Sequence, residues 1–232
     1  MYLSRLLLDP RSRTVHRGLA DCQELHRTIM AAFPQITKPD DNARERFGIL
    51  HRLEVDHRSN RLTLYVQSRE APDWSNLPRG YLQAEAAVKP VDPAYRSLQT
   101  GAVLSFRLKA NPSKRLNSAR IGPDGRSRLG ARVELRREEE QIDWLRRKGE
   151  QGGFDLLGVR VLAQAKEQGR RQRQGGPGST LTLAGVVFEG HLRITDTEKF
   201  YHHSLARGIG PGKAYGLGLL SLAPPLRRWP CA

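Results

Sequence analysis

The order strand, helix, strand, strand, helix, strand runs twice along the 232 residues. This repeat predicts an α+β fold of two tandem ferredoxin-like (βαββαβ) domains. Two further observations frame it. No stretch approaches the ~18 uninterrupted apolar residues of a membrane-spanning helix, and a hydrophobic fraction of 38% is lean but fills small cores. The predicted boundaries are 1–90 for the first domain, 91–101 for a linker and 102–232 for the second domain.

Residues 2–8 alternate in polarity and predict the first strand. Asp21 followed three residues on by Glu24 has the form of a capping box, and Cys22, Leu25, Ile29 and Phe33 recur at helical spacing, so a helix is predicted over 21–33 and ended by Pro34. Gly48–Val55 and Arg61–Ser68 are two β-rich runs whose junction, Asp56 to Asn60, reads as a hairpin turn. A strand over Tyr81–Val88 and a linker from Lys89 to Pro93 complete this half, whose second helix is poorly signalled.

The second half begins with a clear period of two over Ala102–Lys109. A tight turn at Gly122-Pro123-Asp124-Gly125 joins arms 117–121 and 126–135. Glu138–Gly149 predicts a helix with Ile142 and Leu145 inward, closed by Gly152-Gly153. Phe154–Gln164 reads as a strand and Lys166–Ser179 as a mobile loop. Leu181–Phe188 and His191–Thr195 read as a hairpin around Glu189-Gly190. Thr195 with Glu198 resembles a second capping box opening a helix to about Arg207, after which a glycine-rich loop leads into a strand at Leu217–Leu222.

Charge narrows the partners. Thirty-nine Lys and Arg against 24 Asp and Glu give +15, with nearly all the excess beyond residue 95. Arg107, Lys109, Lys114, Arg115, Arg120, Arg126, Arg128, Arg132, Arg136 and Arg137 face only Asp124 and Glu134 over one segment. Arginine pairs phosphate oxygens through a planar fork, so a nucleic acid fits this run. No basic amphipathic helix suggests a membrane surface, and a plain solvated surface is the bland reading. The N-terminus lacks a signal-peptide pattern. With only Cys22 and Cys231, a disulfide framework and a cysteine-rich zinc site are excluded, and a reducing cytoplasm is expected.

Two constellations carry chemistry. The loop Arg207-Gly208-Ile209-Gly210-Pro211-Gly212-Lys213-Ala214-Tyr215-Gly216-Leu217-Gly218 is neither a Walker A loop nor a dinucleotide fingerprint. Its glycines permit close approach of backbone N–H groups to an anion, with Arg207 and Lys213 adding charge; a structural turn is the alternative. His26 falls at the rim of the helical stripe, where an imidazole can pack and still reach a cleft. The pattern alone favours a partly buried structural histidine over a catalytic one. His202 and His203 adjoin on one helix and receive no role, and His16, His51, His57 and His191 show no metal-ligand spacing.

These residues resemble the CasE (Cse3) family of CRISPR repeat-RNA endoribonucleases. The likeness rests on Met1-Tyr2-Leu3-Ser4, Leu25-His26, Phe106 through Arg115 (FRLKANPSKR), Glu140 through Leu145, Val187 through Gly190, and the glycine-rich terminus through Pro224. The resemblance implies binding of the stem-loop in a CRISPR repeat and cutting at the 3′ base of the stem without metal or cofactor. The ribose 2′-OH is the nucleophile, and the mature crRNA stays bound within Cascade beside its other subunits. His26 takes the acid/base role. Gln23 stands where the family often has tyrosine, so the resemblance leaves it an orienting role, while Arg27 and Lys213 are candidates to stabilise charge on the phosphate. The candidate RNA-binding set is Lys109, Asn111, Lys114, Arg115, Arg120, Arg126, Arg128, Arg132, Arg207, Gly208, Gly210, Gly212 and Lys213. Thin β arms bearing the basic hairpin suit the narrow A-form major groove. A non-catalytic RNA-hairpin binder of the same fold is the alternative, and a ribosomal or mRNA-regulatory binder fits the charge but not the motifs.

Overall fold

The computed structural model describes residues 1–34, 43–56, 58–115, 130, 132–173 and 176–225, with the backbone alone at Ala43 and over 163–173 and 176–181. In chain order the first half contains β1 (Tyr2–Leu8), α1 (Arg13–Ala20), α2 (Cys22–Met30), α3 (Ala43–Arg46), β2 (Leu50–Asp56), β3 (Arg61–Ser68), a 3-10 turn at Trp74–Asn76 and β4 (Ala87–Pro90). A short helix α4 (Asp92–Arg96) follows. The second half contains β5 (Val103–Ala110), β6 (Ser113–Arg115), β7 (Arg132–Glu134), α5 (Glu138–Gly152), β8 (Phe154–Arg173), β9 (Gly176–Ile194), α6 (Thr197–Lys199) continued by a π-helical stretch Phe200–Ala206, a 3-10 turn at Lys213–Tyr215 and β10 (Leu220–Ala223).

The strand orders are β2-β3-β1-β4 and β10-β5-β9-β8, with every pairing antiparallel. In each sheet the first and third strands lie at the centre and the second and fourth outside, which is the ferredoxin-like order realised twice. Alternation decides which face is covered. Leu6, Leu8, Leu62, Leu64 and Val66 pack with Val15, Leu25 and Ile29 from the helices. Phe106, Leu108, Phe188 and Leu192 pack with Trp144, Leu145 and Phe200. Each such side chain is worth about 1.5–3 kcal/mol of transfer free energy.

Polar bonds hold the two sheets together. The buried Arg52 guanidinium donates to the backbone oxygens of Leu219 at 3.2 Å and Arg107 at 3.3 Å, and pairs with Glu54 at 2.8 Å. Gln67 donates to the Leu205 carbonyl at 2.8 Å, and Tyr201 donates to Asp92 of α4.

Several local expectations change. Helix α1 was not foreseen, and it alters the cap that follows it. The Asp21 side chain accepts from Gln23 N, but its own N–H is taken by the Arg17 carbonyl at 2.9 Å. Glu24 therefore cannot close a capping box and pairs instead with Arg27 at 2.7 Å. The helix ends at Met30, three residues early, because the amides of Ala32 and Phe33 tighten into i→i−3 bonds; Phe33 remains buried against Phe47, ring centroids 5.4 Å apart. The poorly signalled second helix of this half is the single 3-10 turn capped by Asp73.

Tyr81 is buried but lies outside β4. After the bridge Leu8↔Leu82 the chain bulges before Arg5 meets Ala87, so the strand starts six residues later than predicted. The expected linker at 89–93 is divided between β4 and α4.

In the second half, 166–173 and 176–179 are not a loop: their backbone extends β8 and β9 into a long hairpin. Glu189-Gly190 is not a turn either, for both lie inside β9, with Glu189 opposite Arg107 and Arg160. The glycine answers a close approach, since a Cβ at 190 would stand 1.9 Å from the Gly158 carbonyl oxygen at a bulge. Asp196, not Thr195, caps α6 through the Lys199 N–H. On α5, Gln141, Trp144 and Leu145 are buried, whereas Ile142 is only half-buried. The last strand begins at Leu220 rather than Leu217. Strands β6 and β7 pair; the turn expected at 122–125, with Arg120, Arg126 and Arg128, lies outside the described residues.

Candidate nucleic-acid interface and catalytic pocket

Helix α2 buries Cys22, Leu25 and Ile29 against the first sheet. His26 follows Leu25 by one residue, about 100° around the axis, and is therefore half-buried at the edge of that stripe. Its Nδ1 is sealed inside with no hydrogen-bond partner, which leaves Nε2 as the nitrogen toward solvent. Burial, and then the Arg44 guanidinium, hold its pKa below the ordinary histidine value. Both causes disfavour the cation, so the ring is neutral at pH 7 and available as a base.

Directly behind it stands a residue that sequence reasoning passed over. His51 of β2 is 0% exposed, and its ring stacks on His26 with centroids 6.3 Å apart and planes 23° apart. Burial, then the neighbouring His26, Lys109 and Arg44, push its pKa down to about 3. Its only sequence-level signal was a polar residue in the middle of an apolar β run.

Gln23, at i−3, lies on the His26 side of α2, whereas Arg27, at i+1, is turned about 100° away from it. Gln23 is half-buried; Arg27 is exposed and its guanidinium is occupied by Glu24.

That loop closes on itself and on β5. Ile209 N donates to Gly218 O at 2.9 Å, and Gly218 N to Lys109 O at 2.7 Å. Two of its glycines are obligatory for packing as well as for conformation. Gly208 (φ +72°) and Gly210 (φ +82°) would carry a Cβ 2.7 Å from Leu50 and 2.9 Å from Trp144. The loop is thus pressed onto both halves of the molecule. Its Lys213 ammonium is half-buried, makes no salt bridge among the described residues, and has its pKa lowered by burial and then by Arg44 and Arg207.

Beside the loop opens a cavity of about 510 Å³ whose cations are Lys114, Arg132, Arg147, Lys148, Arg207 and Lys213. Among the described residues no carboxylate lines it. Lys148 is held below the usual lysine range by burial, then by Arg132 and Arg147. The contrast is a cavity of about 230 Å³ on the second sheet, where Arg107 and Arg160 are both tied to Glu189, at 2.6 and 3.2 Å. The first keeps the larger positive excess, since of its cations Lys114 alone meets a carboxylate among the described residues, Glu140 at 4.0 Å, and that excess suits a polyanion.

The fold therefore brings Lys114, Arg132, Arg207, Gly208, Gly210 and Lys213 to one cavity, with Gly212 in the same loop. Lys109 is half-buried on β5, close enough to act on His51, and Arg115 is exposed at the end of β6. Asn111, at 3% exposure, is buried beside the loop. Arg147 and Lys148 were missed because only the folded chain turns that side of α5 toward the loop. Arg44 depresses both imidazoles and Lys213, so cavity and imidazole lie in one positive field. A neutral base next to unpaired cations can take a proton from a hydroxyl and stabilise charge on an adjacent phosphate. Among the described residues no helix is long and apolar enough to cross a membrane.

A family model described as "CRISPR associated protein" matches residues 1–224. The chain is 39% identical over 231 residues to the CRISPR-associated endoribonuclease Cse3 of Thermus thermophilus, covering 97% of this chain and 100% of that one. It is 33% identical over 228 residues to the CRISPR system Cascade subunit CasE of Escherichia coli K12, covering 97% and 100%. Among solved structures, Cse3 endoribonuclease bound to a 19-nucleotide RNA superposes with a TM-score of 0.78 at 38% identity, covering 97% of this chain and 100% of that one.

Proposed function

This chain belongs to the CRISPR-associated protein family of the Cse3 endoribonuclease and CasE, and from that membership we propose that it is a CRISPR repeat-RNA endoribonuclease and a Cascade subunit. The observation that carries the catalytic reading is the half-buried, neutral His26, with one nitrogen toward solvent and a positive field around it. The stem of the repeat lies against the cationic cavity. The nucleotide at its 3′ base is splayed so that its 2′-OH lines up with the scissile P–O bond.

His26 Nε2 removes the 2′-OH proton as that oxygen bonds to phosphorus and the bond to the 5′ oxygen breaks. The leaving 5′ oxygen takes a proton from water while the His26 imidazolium returns its proton to solvent, and the products are a 2′,3′-cyclic phosphate and a 5′-OH. Lys213, which makes no salt bridge among the described residues, stabilises charge on the phosphate, whereas Arg27 must first exchange Glu24 for it. No step calls for a metal. In this reading residues 1–90 bring the base, 91–101 join the halves, 102–232 bring the cationic cavity, and the work is done in the cytoplasm on RNA that stays bound as mature crRNA.

The test maps product ends from repeat RNA with and without chelator, using the parent, His26→Ala and a substrate with a 2′-deoxy nucleotide at the scissile site. Cutting in chelator, lost with either change, is expected. Parent-like cutting by His26→Ala would remove this histidine from the mechanism. A second reading is favoured by Gln23, which cannot supply a phenol: a hairpin binder with little chemistry, which would bind at nanomolar concentration and yield no product in a single turnover.

A further inference from the structure

We propose that His51 is a positioning residue for His26, a buried planar platform that fixes the orientation of the reacting imidazole and couples it to the glycine-rich loop. The inference rests on the reading of His26 as the base. Three observations support it.

The rings are stacked, 6.3 Å between centroids and 23° between planes, within the range of attractive offset aromatic pairs. His51 also backs onto the loop, since a Cβ at Gly216 would lie 3.5 Å from its Cδ2 and Nε2. The ring is thus the material link between the α2 histidine and the loop that carries Lys213. Lastly, neither nitrogen of His51 finds a hydrogen-bond partner among the described residues, although the side chain is 0% exposed. A buried imidazole with two unpartnered nitrogens is destabilising. It contributes through the face of its ring.

The charges around the pair bear this out. Arg44 on α3 faces both rings, Lys109 on β5 faces His51, and no acid is among the groups that shift either one. In that company His51 stays uncharged throughout the working range. Its effect on His26 is therefore one of orientation, not of charge. A misplacement on the order of 1 Å at a reacting group can cost about a hundredfold in rate, so loss of a platform beneath the ring is expected to slow the chemical step about tenfold.

Two substitutions separate the possibilities. His51→Leu keeps the bulk but removes the planar face and both nitrogens; His51→Phe keeps a planar face and removes only the nitrogens. Single-turnover cleavage of a repeat hairpin at saturating protein, RNA affinity, the pH–rate profile and the melting midpoint are measured for each, beside the parent and His26→Ala. The expected result is cleavage about tenfold slower in His51→Leu, with unchanged affinity and an unmoved acid limb, and recovery of most of that loss in His51→Phe. Both should melt no lower than the parent, because two unpartnered polar atoms leave the core.

Parent-like cleavage by His51→Leu overturns the proposal, as does a His51→Phe variant as slow as His51→Leu, which would assign the role to the ring nitrogens. A lower melting midpoint in both overturns it as well, for it would show that the nitrogens are held by partners. Failure here is distinct from failure of the functional reading: the latter shows as parent-like cleavage by His26→Ala, whatever residue 51 does.

Discussion

Neutralising Arg147 and Lys148 together, as Arg147→Gln and Lys148→Gln, tests whether the cavity of about 510 Å³ grips RNA. Six cations line it, with no carboxylate among them. A cation that neutralises one duplex phosphate contributes about −0.9 to the slope of log Kobs against log salt. Six such contacts give a slope of about −5, so that raising salt from about 50 to 200 mM weakens binding on the order of a thousandfold. With two cations removed the slope becomes about −4, and the same salt step costs on the order of a hundredfold. The assay is fluorescence anisotropy with a labelled repeat hairpin, made on a His26→Ala background so that the RNA stays intact. The variant should bind more weakly at low salt, with the two curves converging as salt rises. An unchanged slope would mean that these side chains meet no phosphate, and the assignment of the interface to this cavity would be wrong.

Other outcomes follow from the same geometry. Because Arg44 helps hold the His26 pKa down, Arg44→Gln should move the acid limb of the pH–rate profile to higher pH; an unmoved limb would remove Arg44 as a cause. His51 binds no proton in the folded protein until about pH 3, while the unfolded chain binds one near 6.5. Stability therefore falls as the pH drops through that window, with a limiting slope of about 1.4 kcal/mol per pH unit from this one group, and nothing is lost above it. His51→Leu should flatten that part of a melting-temperature profile, and an equally steep profile would assign the acid loss to other groups. Gly210→Ala places a Cβ 2.9 Å from Trp144 at φ +82°; a loss of about 1–3 kcal/mol in denaturant melts, together with weaker RNA binding, is expected. Gln23→Tyr restores a phenol on the His26 side of α2 and should raise the single-turnover rate at least tenfold, within the ordinary reach of a proton donor. No change would place residue 23 outside proton transfer.

How much the chain disclosed in advance depended on whether the determining contacts were local. The alternation of 2–8 and 61–68 is a property of neighbouring residues, and those strands stand where the pattern put them. His26 was legible as a rim residue because helical phase is local too. Strands β8 and β9 were not, since a Gln-, Arg- and Gly-rich stretch lacks β-branched signals and is held extended by its partner strand. Gly190 looked like a turn for the same reason: nothing within a few residues reveals that Gly158 of another strand presses against it. The capping box at Asp21 failed because a helix just upstream, α1, had already claimed the amide it needed. In the site, Arg207 and Lys213 were marked by the glycines around them. Arg147, Lys148 and His51 acquire their meaning only from residues far along the chain.

The Arg52 guanidinium, bolted to the carbonyl oxygens of Leu219 and Arg107, has a consequence for traffic through the molecule. A joint fixed in this way does not swing open like jaws. A polyanion docked across that joint meets walls already set, with no closing motion to wait for.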